Sequence, residues 1–68
     1  MGHKEISGEL SEDLSGNYHC KNCYVSKASI TKLGLNIGDN VKIKKVDTNS
    51  NYKTKFLYPL FAVHIVKA

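Results

Sequence analysis

The stretch Ser26–Val46, SKASITKLGLNIGDNVKIKKV, leaves the backbone few choices. Ser26 stands where an N-cap accepts a hydrogen bond from the free N–H groups of a first helical turn. Ala28, Ile30 and Leu33 follow at the spacing of a short amphipathic helix, Ser26–Leu33. Gly34 fits the left-handed position after the last turn, where a Cβ is disfavoured, and Leu35 can pack back on Ile30. Asn36–Asn40 holds Gly38 and Asp39, the composition of a tight turn. Val41 and Ile43 then alternate with Lys42 and Lys44, which predicts a strand over Val41–Val46 with one buried face. Val46 breaks the alternation, so a bulge is expected near Lys44–Lys45.

The remaining chain reads mostly as β. Ile6–Leu10 fits a short strand, with Ile6 and Leu10 on one face and Gly8 between them. Ser11–Asn17 is polar and reads as a loop. Tyr18–Val25 has strand propensity, interrupted by a turn at Cys20-Lys21-Asn22-Cys23. Asp47–Thr54, rich in Asn, Ser and Thr, predicts a long exposed hairpin loop. Lys55–Tyr58 and Leu60–Val66 read as strands separated by Pro59, a residue confined to edges, bulges and strand starts. In the last strand Phe61, Val63 and Ile65 share one face, and Ala62, His64 and Val66 the other. Both faces are apolar enough for a barrel wall or a subunit contact.

At 68 residues the chain is read as a single domain, 1–68. A chain this short buries roughly 60% of its unfolded surface. Such domains commonly lean on a metal, a disulfide or a partner subunit. A hydrophobic content of 41% argues for a folded domain. No apolar run approaches the roughly 18 residues of a membrane span. Met1–Leu10 lacks the apolar centre of a signal peptide, so a cytoplasmic, reducing setting is expected.

Charge is divided unevenly along the chain, whose formal net charge is +4. Residues 1–19 hold Lys4 against Glu5, Glu9, Glu12 and Asp13, and residues 20–68 hold nine lysines against Asp39 and Asp47. All ten basic residues are lysines. A basic surface favours an anionic partner, and the plain alternative is a solvated lysine face. Lysine without arginine suits phosphate contacts better than bidentate reading of guanine. Tyr18, Tyr24, Tyr52, Phe56, Tyr58 and Phe61, with lysines between them, offer either a base-stacking platform or core and strand-pairing rings.

His19-Cys20-Lys21-Asn22-Cys23 contains a C-x₂-C pair, a spacing at which two thiolates can hold one Zn²⁺ from a tight knuckle. A closed site needs four ligands, and there is no second C-x₂-C. His19 or His64 would have to contribute, or two knuckles would have to meet across a dimer. Cys20, Cys23 and His19 are therefore the metal candidates. Free thiols and a redox pair are the competing readings, and no cofactor is required. His3 is read as lying near a frayed end, and His64 as a packed or exposed strand residue. No G-x-S-x-G, P-loop or H-E-x-x-H motif occurs, and Glu9, Glu12 and Asp13 read as solvated carboxylates. The chain is expected to be non-enzymatic.

The segment Leu33-Gly34-Leu35, two residues, Gly38-Asp39, then Val41 and Ile43 resembles the helix–turn–strand segment of the cradle-loop β-barrels. Two branches share it: AbrB/MazE-type swapped-hairpin DNA-binding proteins and double-psi β-barrels. Ile6–Gly16 is similar to the first strand and acidic loop of double-psi N domains. The resemblance implies a mostly β fold with one short helix, a small cradle-loop-type barrel completed by homodimerisation with interleaved strands. It further implies a DNA-binding regulator or accessory factor, with Lys21, Lys27, Lys32, Lys42, Lys44 and Lys45 neutralising phosphates. The double-psi branch implies instead a module or inhibitor that docks on an acidic protein surface, for which a phage or mobile-element origin is one source.

Overall fold

The computed structural model describes residues 5–68, so His3 and Lys4 lie outside the described residues. Its elements are β1 (Ile6–Glu9), β2 (Ser11–Glu12), β3 (Tyr18–Cys20), β4 (Cys23–Val25), α1 (Lys27–Leu33), β5 (Asn40–Thr48) and β6 (Leu60–Lys67). The helix begins and ends as its caps dictate. Ser26 is extended and its Oγ accepts from the Ser29 N–H at 3.3 Å. Gly34 takes φ 63°, and the N–H groups of Gly34 and Leu35 close onto the carbonyls of Thr31 and Ile30 at 3.3 and 3.0 Å. This satisfies carbonyls the helix end would otherwise orphan. Leu35 is buried and Ile30 packs against the core. Ala28 and Leu33, expected on the same apolar face, are exposed instead. The seven-residue helix is too short to lay more than one turn against β6.

The strands form one sheet in the order β1-β5-β6-β4-β3-β2. Neighbours are antiparallel except β4 and β6, which run parallel. The two outermost strands, β1 and β2, are separated in the chain by Leu10 alone, so the sheet has to curl until its ends meet. Leu10 is pinned by two hydrogen bonds, its N–H to the Asp39 carbonyl and the Gly38 N–H to its own carbonyl, both 2.8 Å. The product is a nearly closed six-strand barrel whose seam between β1 and β2 is unsealed. Ser11–Glu12, expected in a loop, pairs with Tyr18–His19 at that seam. Gly8 is there for space: a Cβ would sit 3.3 Å from Cys20 Sγ and 3.4 Å from Lys21 Cε. The mostly β architecture with one short helix matches a small barrel completed by dimerisation. All six strands nevertheless pair within one chain, so the core is built without interleaved strands from a second copy.

Inside lie Leu10, Cys20, Cys23, Val25, Leu35, Val41, Ile43, Ala62 and Ile65. The bulge expected near Lys44–Lys45 is present. The register passes from Ile43↔Ile65 to Lys45↔His64 and then to Val46↔Ala62. Lys44 is the extra residue on β5, and Val63 is the extra residue on β6. The second irregularity overturns the expected faces of the last strand. Ala62 and Ile65 both point inward, while Val63 is turned out and is 47% exposed.

Lys55–Tyr58 is not a strand but a run of turns. The cause is local hydrogen bonding by asparagine, which competes with ladder formation. Asn49 is buried, and its Nδ2 donates to Thr54 Oγ1 at 3.0 Å and to the Tyr58 carbonyl at 2.8 Å. Its Oδ1 accepts from the Asn51 N–H at 3.1 Å, and Asn51 Oδ1 accepts from the Lys53 N–H at 2.9 Å. The segment between the antiparallel β5 and β6 is thus the long, mostly exposed hairpin loop expected, but folded into a compact knot around the buried Asn49 and Thr54.

Candidate nucleic-acid interface

The lysines singled out by charge fall into three places. Lys42, Lys44 and Lys45 lie on β5. Alternation alone would turn every second residue outward. The bulge instead leaves the consecutive pair Lys44 and Lys45 both exposed. Lys45 is paired with His64 on β6, and His64 lines a shallow groove with Lys32, Leu33 and Val63. His64 thus stands between Lys45 of β5 and the groove that holds Lys32 of α1. Lys27 opens α1 and is exposed. Lys21 stands apart at the tip of the β3–β4 hairpin, with φ 57° and its stem lying over Gly8. Among the described residues one ion pair forms, Lys42 to Glu5 at 3.8 Å, and both side chains are substantially exposed. Such an exposed pair adds little to stability. The other described lysines have no carboxylate within ion-pair distance among the described residues.

The cysteines face the other way. Cys20 and Cys23 are Cα partners across a two-residue turn, so both side chains share one face of the hairpin. That face is the barrel interior, and both residues are fully buried as free thiols. Burial pushes both thiols up from their ordinary pKa, and for Cys23 the neighbouring Cys20 adds to the effect. His19 is adjacent to Cys20 in the strand and therefore points outward, where its ring stacks on Tyr58 at 4.7 Å. The three metal candidates are thus split between two faces of one hairpin. The described residues hold no cluster of three or more His, Cys, Asp or Glu side chains fit for a metal.

An aromatic layer covers the outside of β3, β4 and β6. His19, Tyr58, Tyr24 and Phe61 follow one another, with ring centroids 4.7, 6.3 and 6.1 Å apart. Tyr58 is buried, and its hydroxyl donates to Asp13 Oδ2 at 2.5 Å. Asp13 also accepts from the N–H groups of Ser15 and Asn17, each at 2.9 Å. The Tyr58 hydroxyl, then the Asn17 N–H, hold the Asp13 carboxyl down at about 2. Burial, and then the Asp13 carboxylate, push Tyr58 up to about 12. Asp13 is therefore not one of a solvated cluster with Glu9 and Glu12; it ties the 13–17 loop to the knot between β5 and β6.

The knot presents its own surface, which charge counting by sequence block did not separate. Tyr52, Phe56 and Leu57 are exposed at 70%, 85% and 64%. Lys55 Nζ lies 5.7 Å from the centre of the Phe56 ring, and Lys53 is exposed beside Tyr52. The alternation Tyr52-Lys53-Thr54-Lys55-Phe56 was the available signal. Of the six rings considered for stacking, Tyr18 packs on the core and Tyr58 is buried. Tyr24 and Phe61 are half-buried and line a groove against the knot.

No helix among the described residues is long and apolar enough to cross a membrane. The architecture is in keeping with the general cradle-loop or small-barrel class. Comparison with known proteins finds no matching family model, no matching curated protein and no matching solved structure.

Proposed function

We propose that this chain is a non-enzymatic DNA-binding module, a regulator or accessory factor, that grips phosphates with lysines. The observation that carries the reading is the β5 bulge, which leaves Lys44 and Lys45 both exposed, with Lys45 opposite His64, whose groove also holds Lys32. Lysines without carboxylate partners repel one another, and phosphate oxygens relieve that repulsion while releasing condensed counterions. Lys42, tied to Glu5, contributes less, and Lys21 and Lys27 extend the surface at two separate points. The absence of arginine from the sequence goes with binding that is weakly sequence-selective. A cytoplasmic setting suits two buried free thiols. A homodimer joined at the seam would double the basic surface.

The test is a series of lysine-to-alanine variants titrated against a labelled random-sequence duplex. Lys44→Ala with Lys45→Ala is expected to weaken binding more than Lys21→Ala or Lys27→Ala. Equal effects at all six positions, or none, would contradict the reading.

The alternative is an interaction module for an acidic protein surface. It has one observation in its favour: Leu33 and Val63, 38% and 47% exposed, flank the groove between α1 and β6 among lysines. Wild-type duplex binding that survives Leu33→Glu favours the nucleic-acid reading, whereas absent duplex binding in wild type favours the protein-surface reading.

A further inference from the structure

We infer that the groove between the knot and the outer face of β4 and β6 seats an unpaired base of a single-stranded nucleic acid. The inference rests on the nucleic-acid reading above and names the form of nucleic acid that the aromatic side of the barrel takes. The floor is made by Tyr24 and Phe61, Cα partners across the parallel pair β4–β6. Their rings lie 6.1 Å apart with planes within 26° of parallel, a stacked aromatic pair on which a further planar ring can extend the stack. The wall is the run from Asp47 to Tyr52, and the open groove has a volume of about 570 Å³. That falls inside the roughly 300–1,000 Å³ of clefts that take small planar ligands. Tyr52, 70% exposed at the rim, supplies a further ring.

Charge decides which part of a nucleotide enters. Asp47 lines the groove, and one of its oxygens is engaged by the Thr48 N–H at 2.8 Å. A carboxylate there opposes a phosphate and can accept from an amino or ring N–H of a base, the N3–H of thymine and uracil included. The cations lie outside the groove, on the knot: Lys53 beside Tyr52, and Lys55 against the Phe56 ring. An uncharged base within and a backbone tracking the lysines without satisfies both signs. Rings that receive bases beside lysines that receive phosphates are the working parts of sequence-tolerant single-strand binding. The wall is already ordered by Asn49, so seating a base does not have to fold the loop. Duplex DNA keeps its bases stacked inside and cannot use this groove.

The experiment compares fluorescence anisotropy of three labelled probes with the full chain: oligothymidylate, an abasic oligonucleotide of equal length, and a duplex. An oligouridylate arm distinguishes DNA from RNA as the source of the strand. Wild type is expected to prefer oligothymidylate over the abasic strand by about five-fold or more, the effect of one stacked base. Tyr52→Ala, at an exposed position, and Phe61→Leu should each reduce that preference and leave abasic and duplex affinity unchanged. Circular dichroism checks that Phe61→Leu keeps the fold. Equal affinity for the abasic and base-bearing strands overturns the inference while the phosphate reading stands. Failure of all probes to bind at low salt overturns both.

Discussion

Replacing Asn49 with alanine should cost more stability than its place in a polar segment suggests. The side chain is 4% exposed and makes three hydrogen bonds, to Thr54 Oγ1, the Tyr58 carbonyl and the Asn51 N–H. Each intramolecular hydrogen bond contributes about 1 kcal/mol net, so their loss amounts to about 3 kcal/mol. For a domain of this size that corresponds to a fall in Tm of about 12–24 °C. Total stability for such a chain is only about 3–10 kcal/mol, so the loss is a large share. Thermal and urea unfolding followed by circular dichroism measures it, with Ser50→Ala, an exposed neighbour, as a control expected within about 0.5 kcal/mol. An Asn49→Ala shift below about 4 °C would refute the claim that Asn49 organises the knot. The same variant should lose preference for base-bearing single strands, because the wall of the groove goes with it.

Four further outcomes follow from particular contacts. Gly8→Ala should destabilise by about 1–2 kcal/mol in urea unfolding, because the new methyl meets Cys20 Sγ, which is buried and cannot yield. Asp13 has a depressed folded pKa, so its contribution is present above the ordinary value of 3.8 and is lost as pH falls toward about 2. Acid unfolding measured between those limits should be less steep in Tyr58→Phe, which removes the largest cause of the depression. Cys20 and Cys23 should resist alkylation in the native state and react rapidly above the denaturant midpoint; rapid native labelling would contradict their burial. Since His19 faces away from both thiols, a zinc chelator should leave the melting curve unchanged, and a drop in Tm would contradict that geometry.

The legible parts of the sequence were those where one local rule acts alone. Ser26, Gly34 and Leu35 cap the helix as their backbone preferences require. The broken alternation at Val46 marked the β5 bulge, because a period-2 pattern cannot skip a residue without one. The matching irregularity at Val63 was hidden, since β6 is apolar on both faces and its pattern has no phase to break. Lys55–Tyr58 has strand propensity, but the Asn49 side chain donates to the Tyr58 carbonyl and the Asn51 carbonyl accepts from the Lys55 N–H, local partners that replace a ladder. For the metal candidates the C-x₂-C spacing is legible in the sequence, but spacing alone does not say which way each side chain points. Adjacent strand residues face opposite ways, which alone separates His19 from Cys20. The site divided in the same manner. Lysine content pointed to β5, whereas the pairing of Tyr24 with Phe61 depends on a parallel contact between distant segments that no local pattern encodes.

The most direct test of the central claim is the salt dependence of binding to a labelled random-sequence duplex. Each phosphate contact contributes about 0.9 to the slope of log affinity against log salt. If Lys32, Lys44 and Lys45, with a share from Lys42, engage phosphates, the slope should be about −3 per chain. It should fall to about −1 in Lys44→Ala with Lys45→Ala. A wild-type slope near zero, or one the double variant leaves unchanged, would contradict phosphate contact by this face.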